Sequence, residues 1–295
     1  MYSIDFHADD YGISLNNSKR MIELINAGRL DSISIIPNMG CFDECMALLR
    51  DNWDGFPVKP LISVHINLID GFMLSSEDKS TILNNTWGKL FIRSFSVFGR
   101  KRFKEQLCAE IEAQIKTVCD ATADLTDDKG SYIQLRLDSH VHTHMIPIVF
   151  DSMIEALRNS AALSKVSYIR NSTEPLKPFF ANADIRGTYP AVNVIKNLIL
   201  NILGRRVAGK CDQLGIQTGM LWGLIMSGCM DRERVDILLP RISSIAQKKD
   251  EYLEILCHPG IVLADEKRPE YGPDDLTAFF SQDRDKEYDM IMSHR

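Results

Sequence analysis

Four short polar motifs in this chain each follow an apolar run: His7-Ala8-Asp9-Asp10-Tyr11-Gly12, Val64-His65-Ile66-Asn67-Leu68, Asp138-Ser139-His140-Val141-His142-Thr143-His144 and Cys257-His258-Pro259-Gly260. They gather six of the seven histidines, and only His294 lies outside them. If the apolar runs are strands of a parallel sheet, all four motifs fall at strand C-terminal ends, where α/β folds collect their catalytic groups. Independent motifs then converge on one rim.

The intervening sequence has the helices that such a sheet requires. After a strand over residues 3–8 and the Asp-Asp-Tyr-Gly turn, Ser14 is positioned to cap a helix carrying Met21, Ile22, Leu24 and Ile25 at helical spacing, stopped by Gly28. Further strands are expected over 32–36, 61–65, 133–138, 166–170 and 252–257. Helices are expected over 43–50, over 102–123 with Phe103, Leu107, Ile111, Ile115 and Val118 on one stripe, and over 147–162, opening at Pro147. Residues 69–101, with Trp87, Phe91, Phe95 and Phe98, read as a loop-rich insertion or lid. Residues 185–211 contain no Asp or Glu, and Arg186, Lys196, Arg205, Arg206 and Lys210 accompany an apolar run from Val192 to Leu203. That run is too short to span a membrane, so a packed helix or a homo-oligomer contact, such as a dimer face, is expected in preference to a membrane-surface helix. The whole length of 295 residues fits one α/β domain.

A formal net charge of -6 gives no support for nucleic-acid binding, which needs basic surface to neutralise phosphates. Seven cysteines without a CxxC spacing read as reduced thiols, and the opening residues lack a basic and then apolar leader. Both favour the cytoplasm.

The motifs combine neutral imidazoles with carboxylates, the mixture that a mononuclear metal site requires. Asp9 and Asp10 can divide the tasks of holding a cation and handling a proton, although paired aspartates before glycine also make Asx turns and helix caps. In an extended conformation Asp138, His140, His142 and His144 share one face, and the later side chains can splay toward substrate or support the ligands. His65 joins the same rim. His258, on a rigid turn before Pro259, suits protonation of a leaving amine.

The order and spacing of these motifs, over roughly residues 3 to 265, resemble the YdjC-like family of carbohydrate deacetylases, which includes chitin disaccharide deacetylases. The resemblance implies a distorted (β/α) barrel of the polysaccharide-deacetylase type, an acetylated sugar or oligosaccharide as substrate, and one divalent metal ion, magnesium or zinc. It implies Asp10, His65 and His140 as metal ligands, Asp9 as general base, His258 as the acid-side histidine and Arg170 near the substrate. The family often has Asn where this chain has His7, so His7, like His142, is expected to contact substrate. Two rival functions are a metal-dependent hydrolase of another bond, such as a phosphoester with Arg170 in its clamp, and a catalytically silent sugar-binding protein. An extra base and acid at the rim speak against the second.

Overall fold

The computed structural model describes residues 2–294 apart from 79, 184, 228 and 229. In chain order the elements are β1 (Ser3–Tyr11), α1 (Leu15–Asn26), β2 (Ser32–Ile35), α2 (Phe42–Trp53), β3 (Leu61–Ile66), α3 (Trp87–Arg93), α4 (Arg100–Ala121), β4 (Leu135–Ser139), α5 (Pro147–Asn159) and β5 (Val166–Ile169). They continue with α6 (Lys177–Phe180), α7 (Ala191–Leu214), β6 (Met220–Trp222), α8 (Arg232–Lys249), β7 (Tyr252–Cys257), α9 (Pro273–Phe279) and α10 (Asp283–His294).

The seven strands form one sheet in the order β5-β4-β3-β2-β1-β7-β6, and every pairing is parallel. The sheet curls until its edges approach. Tyr168 of β5 bridges Gln217 just before β6, the Ile169 amide donates to the Gln217 carbonyl (3.0 Å), and the Gln217 amide donates to the Ser167 carbonyl (3.2 Å). The architecture is a distorted α/β barrel, with its strand C-terminal ends on one rim.

Local sequence explains the helices that pack outside. The Ser14 hydroxyl accepts the Asn17 amide at the start of α1, a cap worth about 1 kcal/mol, and α1 buries Met21, Ile22, Leu24 and Ile25. The 22-residue α4 buries Leu107, Ile111, Ile115 and Val118 on its expected stripe. Pro147 opens α5, where its missing N–H is no loss. Residues 69–101 hold the short α3 and an isolated antiparallel bridge between Phe72 and Ile82. Most of the acid-free segment lies in α7, which buries Asn197, Leu200, Gly204, Val207 and Cys211. A Cβ on Gly204 would meet the Thr173 side chain at 2.0 Å, so glycine there lets α7 sit against the 171–173 segment. Among the described residues no helix is long and apolar enough to cross a membrane.

The barrel interior is polar. Alternation along β1 sends Phe6 and Ala8 to the apolar core and Asp5, His7 and Asp9 inward. Inside they meet Ser32 and Ser34 of β2, Arg136 and Asp138 of β4, and Arg170 just after β5. Glu254 of β7 joins them through Arg170 and Tyr168. Such a set is tolerable only if every charge is paired, because an unpaired buried carboxylate is far more costly than a buried hydrogen-bonded one.

Candidate metal centre and active site

The rim begins where β1 ends. Asp9 follows the strand alternation inward, but Asp10 takes a left-handed conformation (φ 71°) and turns elsewhere. Gly12 completes the turn at φ 102°, where a Cβ would lie 2.9 Å from the Ile36 carbonyl oxygen. Two consecutive carboxylates thereby enter different surroundings.

Asp10, His65 and His140 offer ligand atoms that all lie within 4.8 Å of one another. Asp10 Oδ1 is 3.2 Å from His140 Nδ1 and 3.6 Å from His65 Nε2. His65 Nδ1 lies 2.6 Å from Asp138 Oδ1, which fixes the ring and leaves its Nε2 toward Asp10. A carboxylate behind a ligating imidazole is the usual support for such a ligand. The other Asp10 oxygen accepts from Arg284 (2.6 Å). Burial works against the charge on Asp10, yet Arg284 and His140 hold its carboxyl far below the ordinary carboxylate range. One anionic oxygen and two imidazole nitrogens, meeting at a cavity wall, fit a divalent cation. Two other His/Asp/Glu groupings, Asp5-His7-Glu254 and His7-Asp9-Asp138, are enclosed, and Arg136 and Arg170 already partner their carboxylates.

Asp9 is gripped from below. Arg170 donates to both its oxygens (2.8 and 2.7 Å), to Glu254 (2.5 Å), and lies 3.1 Å from Asp138 Oδ2. Burial raises the Asp9 carboxyl, but Arg170, His65 and His7 together hold it well below its usual value, so it stays ionised. The hydroxyls of Ser32 and Ser34 donate to Asp5 and Asp138, so each can only accept from His7. Both His7 ring nitrogens are therefore donors, and the ring is an imidazolium. Burial opposes that charge, but Glu254 and Asp9 outweigh it and raise the His7 value. Arg170 and His7 are completely buried, and neither lines the cavity where a substrate would sit.

The His-rich motif is likewise not extended. After β4 the chain enters a 3-10 turn over His140–Met145, with Val141 (φ 44°) and His142 (φ 59°) left-handed. Asp138 therefore faces the interior and His140 the cavity. His144 Nε2 donates to the Arg170 carbonyl (2.9 Å), so its Nδ1 accepts from the Ser139 hydroxyl (2.6 Å). Burial, then Arg170, lowers it to about 4. It is a neutral brace. His142 lines the cavity with its Nδ1 3.0 Å from Ser172 Oγ, and burial, Lys196 and Arg170 keep it neutral. Left-handed valine costs on the order of 1–3 kcal/mol, and such strain collects at functional sites. Among the described residues, three of the five non-glycine residues with positive φ, Asp10, Val141 and His142, line this cavity.

The cavity encloses about 620 Å³ and is also lined by Asp9, His258, Arg284 and Glu287. His258 is half-buried on its turn after β7, with its amide donating to Glu287 Oε2 (2.5 Å) and its Nδ1 3.7 Å from the same oxygen. Arg284 and Glu287, one turn apart on α10, were not anticipated. The only local signal is their i, i+3 spacing in a charged stretch that reads as solvated surface. Glu174 was also missed. It accepts the amides of Gly223, Leu224 and Ile225 and the Asn197 side chain, tying the loop after β6 to α7.

The sequence model of the YdjC-like protein family matches residues 3–295. A carbohydrate deacetylase from Thermoanaerobacter pseudethanolicus is 28% identical over 213 residues, covering 70% of this chain and 77% of that protein. Among solved structures, a proposed cellobiose-phosphate cleavage protein from Enterococcus faecalis aligns with a TM-score of 0.58 and 16% identity, covering 99% of this chain and 90% of the other. That likeness is one of fold.

Proposed function

Because this chain belongs to the YdjC-like family, we propose that it is a carbohydrate deacetylase, a metal-dependent hydrolase that removes the acetyl group from an N-acetylated sugar or oligosaccharide. One juxtaposition carries this: a carboxylate and two imidazoles that fit a divalent cation, Asp9 beside them, and His258 on the same cavity.

Asp10, His65 and His140 would hold the cation, magnesium or zinc, which supplies Lewis acidity toward an acetamide carbonyl and toward water. Asp9 takes the proton of the attacking water. Its carboxylate is a weak base because Arg170 holds it ionised, which is why the water must be made acidic before Asp9 can serve. His258 delivers a proton to the departing amine, since an unprotonated amide nitrogen is a poor leaving group. Glu287 positions His258 through the backbone amide. His142, neutral and at the wall, offers a hydrogen bond to the sugar.

Phosphoester hydrolysis at the same rim would need a basic clamp on substrate. Arg170, the cation that the sequence offers for that task, is enclosed and engaged with carboxylates, and Arg284 at the cavity is engaged with Asp10. The thiols of Cys41, Cys45, Cys108, Cys119, Cys211 and Cys257 are all free, which suits a reducing compartment such as the cytoplasm.

The test is mass spectrometry of N-acetylated mono- and oligosaccharides incubated with the protein, with and without added divalent metal. Metal-dependent loss of acetyl, abolished by Asp9→Asn, is expected. Release of phosphate from sugar phosphates with no acetyl loss from any N-acetylated sugar would overturn the assignment.

A further inference from the structure

A second cavity, of about 860 Å³, opens beside the first. Val141, Val192 and Lys196 line both, so the two adjoin. One wall is α7, whose Val192, Ile195 and Ile199 follow the i, i+3, i+7 spacing that puts side chains on one helix face. The opposite wall comes from the insertion after β3, through Ile82, Leu83 and Trp87.

Its polar side chains are largely engaged within the protein. Asp70 accepts from Asn67 (2.6 Å) and from the Gly272 amide (2.9 Å), and Asn85 donates to the Leu68 carbonyl (2.9 Å). Thr86 caps α3 by accepting the Lys89 amide (3.2 Å), and Glu270 accepts the Gly40 amide (2.9 Å). Trp87 Nε1 is a buried donor with no partner among the described residues and Lys196 also lines the groove, but a sugar chain lying along Ile82, Leu83, Val192, Ile195 and Ile199 would leave most of its hydroxyls facing hydrocarbon, which is costly. A hydrocarbon chain meets no such penalty.

Exposure along α7 agrees. Val192 is 67% exposed, Ile195 57% and Ile199 37%, far more apolar surface than the buried stripe of the same helix needs for packing. From Val192, at the catalytic cavity, to Ile199 the groove wall runs about 10 Å along the helix. We propose that this groove binds an aliphatic aglycone, so that the substrate is an N-acetylated sugar carrying a hydrocarbon chain, a glycolipid. This rests on the deacetylase assignment for the sugar end, and on the shared wall of the two cavities for the chain.

The test compares calorimetric binding of the methyl and octyl β-glycosides of N-acetylglucosamine, the octyl form below its micellar concentration. Each buried methylene contributes about 0.8 kcal/mol and tenfold in affinity is about 1.4 kcal/mol, so burial of four methylenes makes the octyl glycoside bind about two hundredfold more tightly. Ile195→Asn and Ile199→Asn, at exposed positions where folding is little affected, should remove at least tenfold of that advantage. They should leave methyl glycoside binding unchanged. Equal affinity for the two glycosides, no binding of the octyl form, or an octyl advantage untouched by both variants would overturn the proposal. So would a change from dimer to monomer mass in light scattering on either substitution without loss of octyl binding, which would assign the face to a second copy. Acetate release is scored separately. Release from both glycosides with equal binding refutes the groove and spares the deacetylase, whereas octyl-selective binding without release does the reverse.

Discussion

Replacing Arg170 with methionine removes the cation on which the barrel interior depends. The guanidinium is fully enclosed and reaches Asp9 at 2.7 and 2.8 Å, Glu254 at 2.5 Å and Asp138 at 3.1 Å. Methionine has similar reach and no charge, so it leaves three carboxylates facing the His7 imidazolium. At an effective dielectric of about 20, unit charges 4 Å apart interact by about 4 kcal/mol, so the three contacts together are worth on the order of 10 kcal/mol in the intact protein. The variant recovers part of this by taking up a proton, and removal of one partner from a buried ion pair typically costs about 3–5 kcal/mol. With about 2–4 °C lost per kcal/mol for a large domain, Tm should fall by about 10 °C.

The assay is urea unfolding at neutral pH, read as a lower midpoint with an unchanged m-value. Arg170→Lys should fall between the two, since one ammonium keeps the charge but cannot present the fork that grips Asp9 while also reaching Glu254. A loss below about 1 kcal/mol for Arg170→Met would refute the reasoning. It would mean that Asp9 is held ionised by something other than Arg170.

If Asp10, His65 and His140 hold the metal, changing any one to Ala should lower bound divalent metal and activity together, whereas His294→Ala does neither; full occupancy in all three variants by metal analysis would refute the set. Asp9→Asn keeps size but loses the proton acceptor, so turnover should drop by about 10²-fold or more with metal retained. His258→Ala and Glu287→Ala should each reduce turnover, and the double variant should lose little more than either single one, because Glu287 acts through His258; additive losses would separate them. Burial pushes the Glu174 carboxyl from 4.5 up to about 7, against the Gly223, Ile225 and Leu224 amides and Asn197 that donate to it. A folded-state value above the unfolded one means that the folded chain keeps a proton which the unfolded chain has released, so this group's contribution to stability falls as pH rises from 4.5 to 7. The fall is about 3 kcal/mol and should vanish in Glu174→Gln; parallel stability profiles of the two proteins would refute it.

The strand ends and amphipathic helices were legible because each rests on local periodicity. β7 spans Tyr252–Cys257 as read, α1 starts at the Ser14 cap, and α4 buries the predicted stripe. β6 was not legible, since the three residues Met220–Trp222 are too few to display a period. α8 was not read either, and its interior Pro240 argues locally against a helix. The polar interior was hidden for a different reason. Alternating Ile4-Asp5-Phe6-His7-Ala8-Asp9 reads equally well as a strand with one face in water, and only barrel closure turns that face inward. The His-rich motif misled because an extended continuation is the default for Val141, whereas the fold imposes a left-handed turn that a β-branched residue resists. Local preference is overridden at the rim, where strain of this kind is expected.

The different environments of Asp9 and Asp10 follow from a single backbone choice. With Asp10 left-handed at φ 71°, strand alternation ends at Asp9, whose carboxylate points down to Arg170 and His7, while the next carboxylate swings to Arg284, His65 and His140. Sequence left the division of labour between the two aspartates open, because both types of ligand and base chemistry suit either carboxylate. Their surroundings differ in a way that supports the proposed division. Both oxygens of Asp9 are gripped by a guanidinium from the barrel interior, and only Asp9 Oδ2 looks toward His65, at 3.8 Å. Asp10 commits one oxygen to Arg284 and keeps the other between two imidazoles. A carboxylate fixed from below with one edge toward the cavity suits proton transfer, and one open between two imidazoles suits a cation.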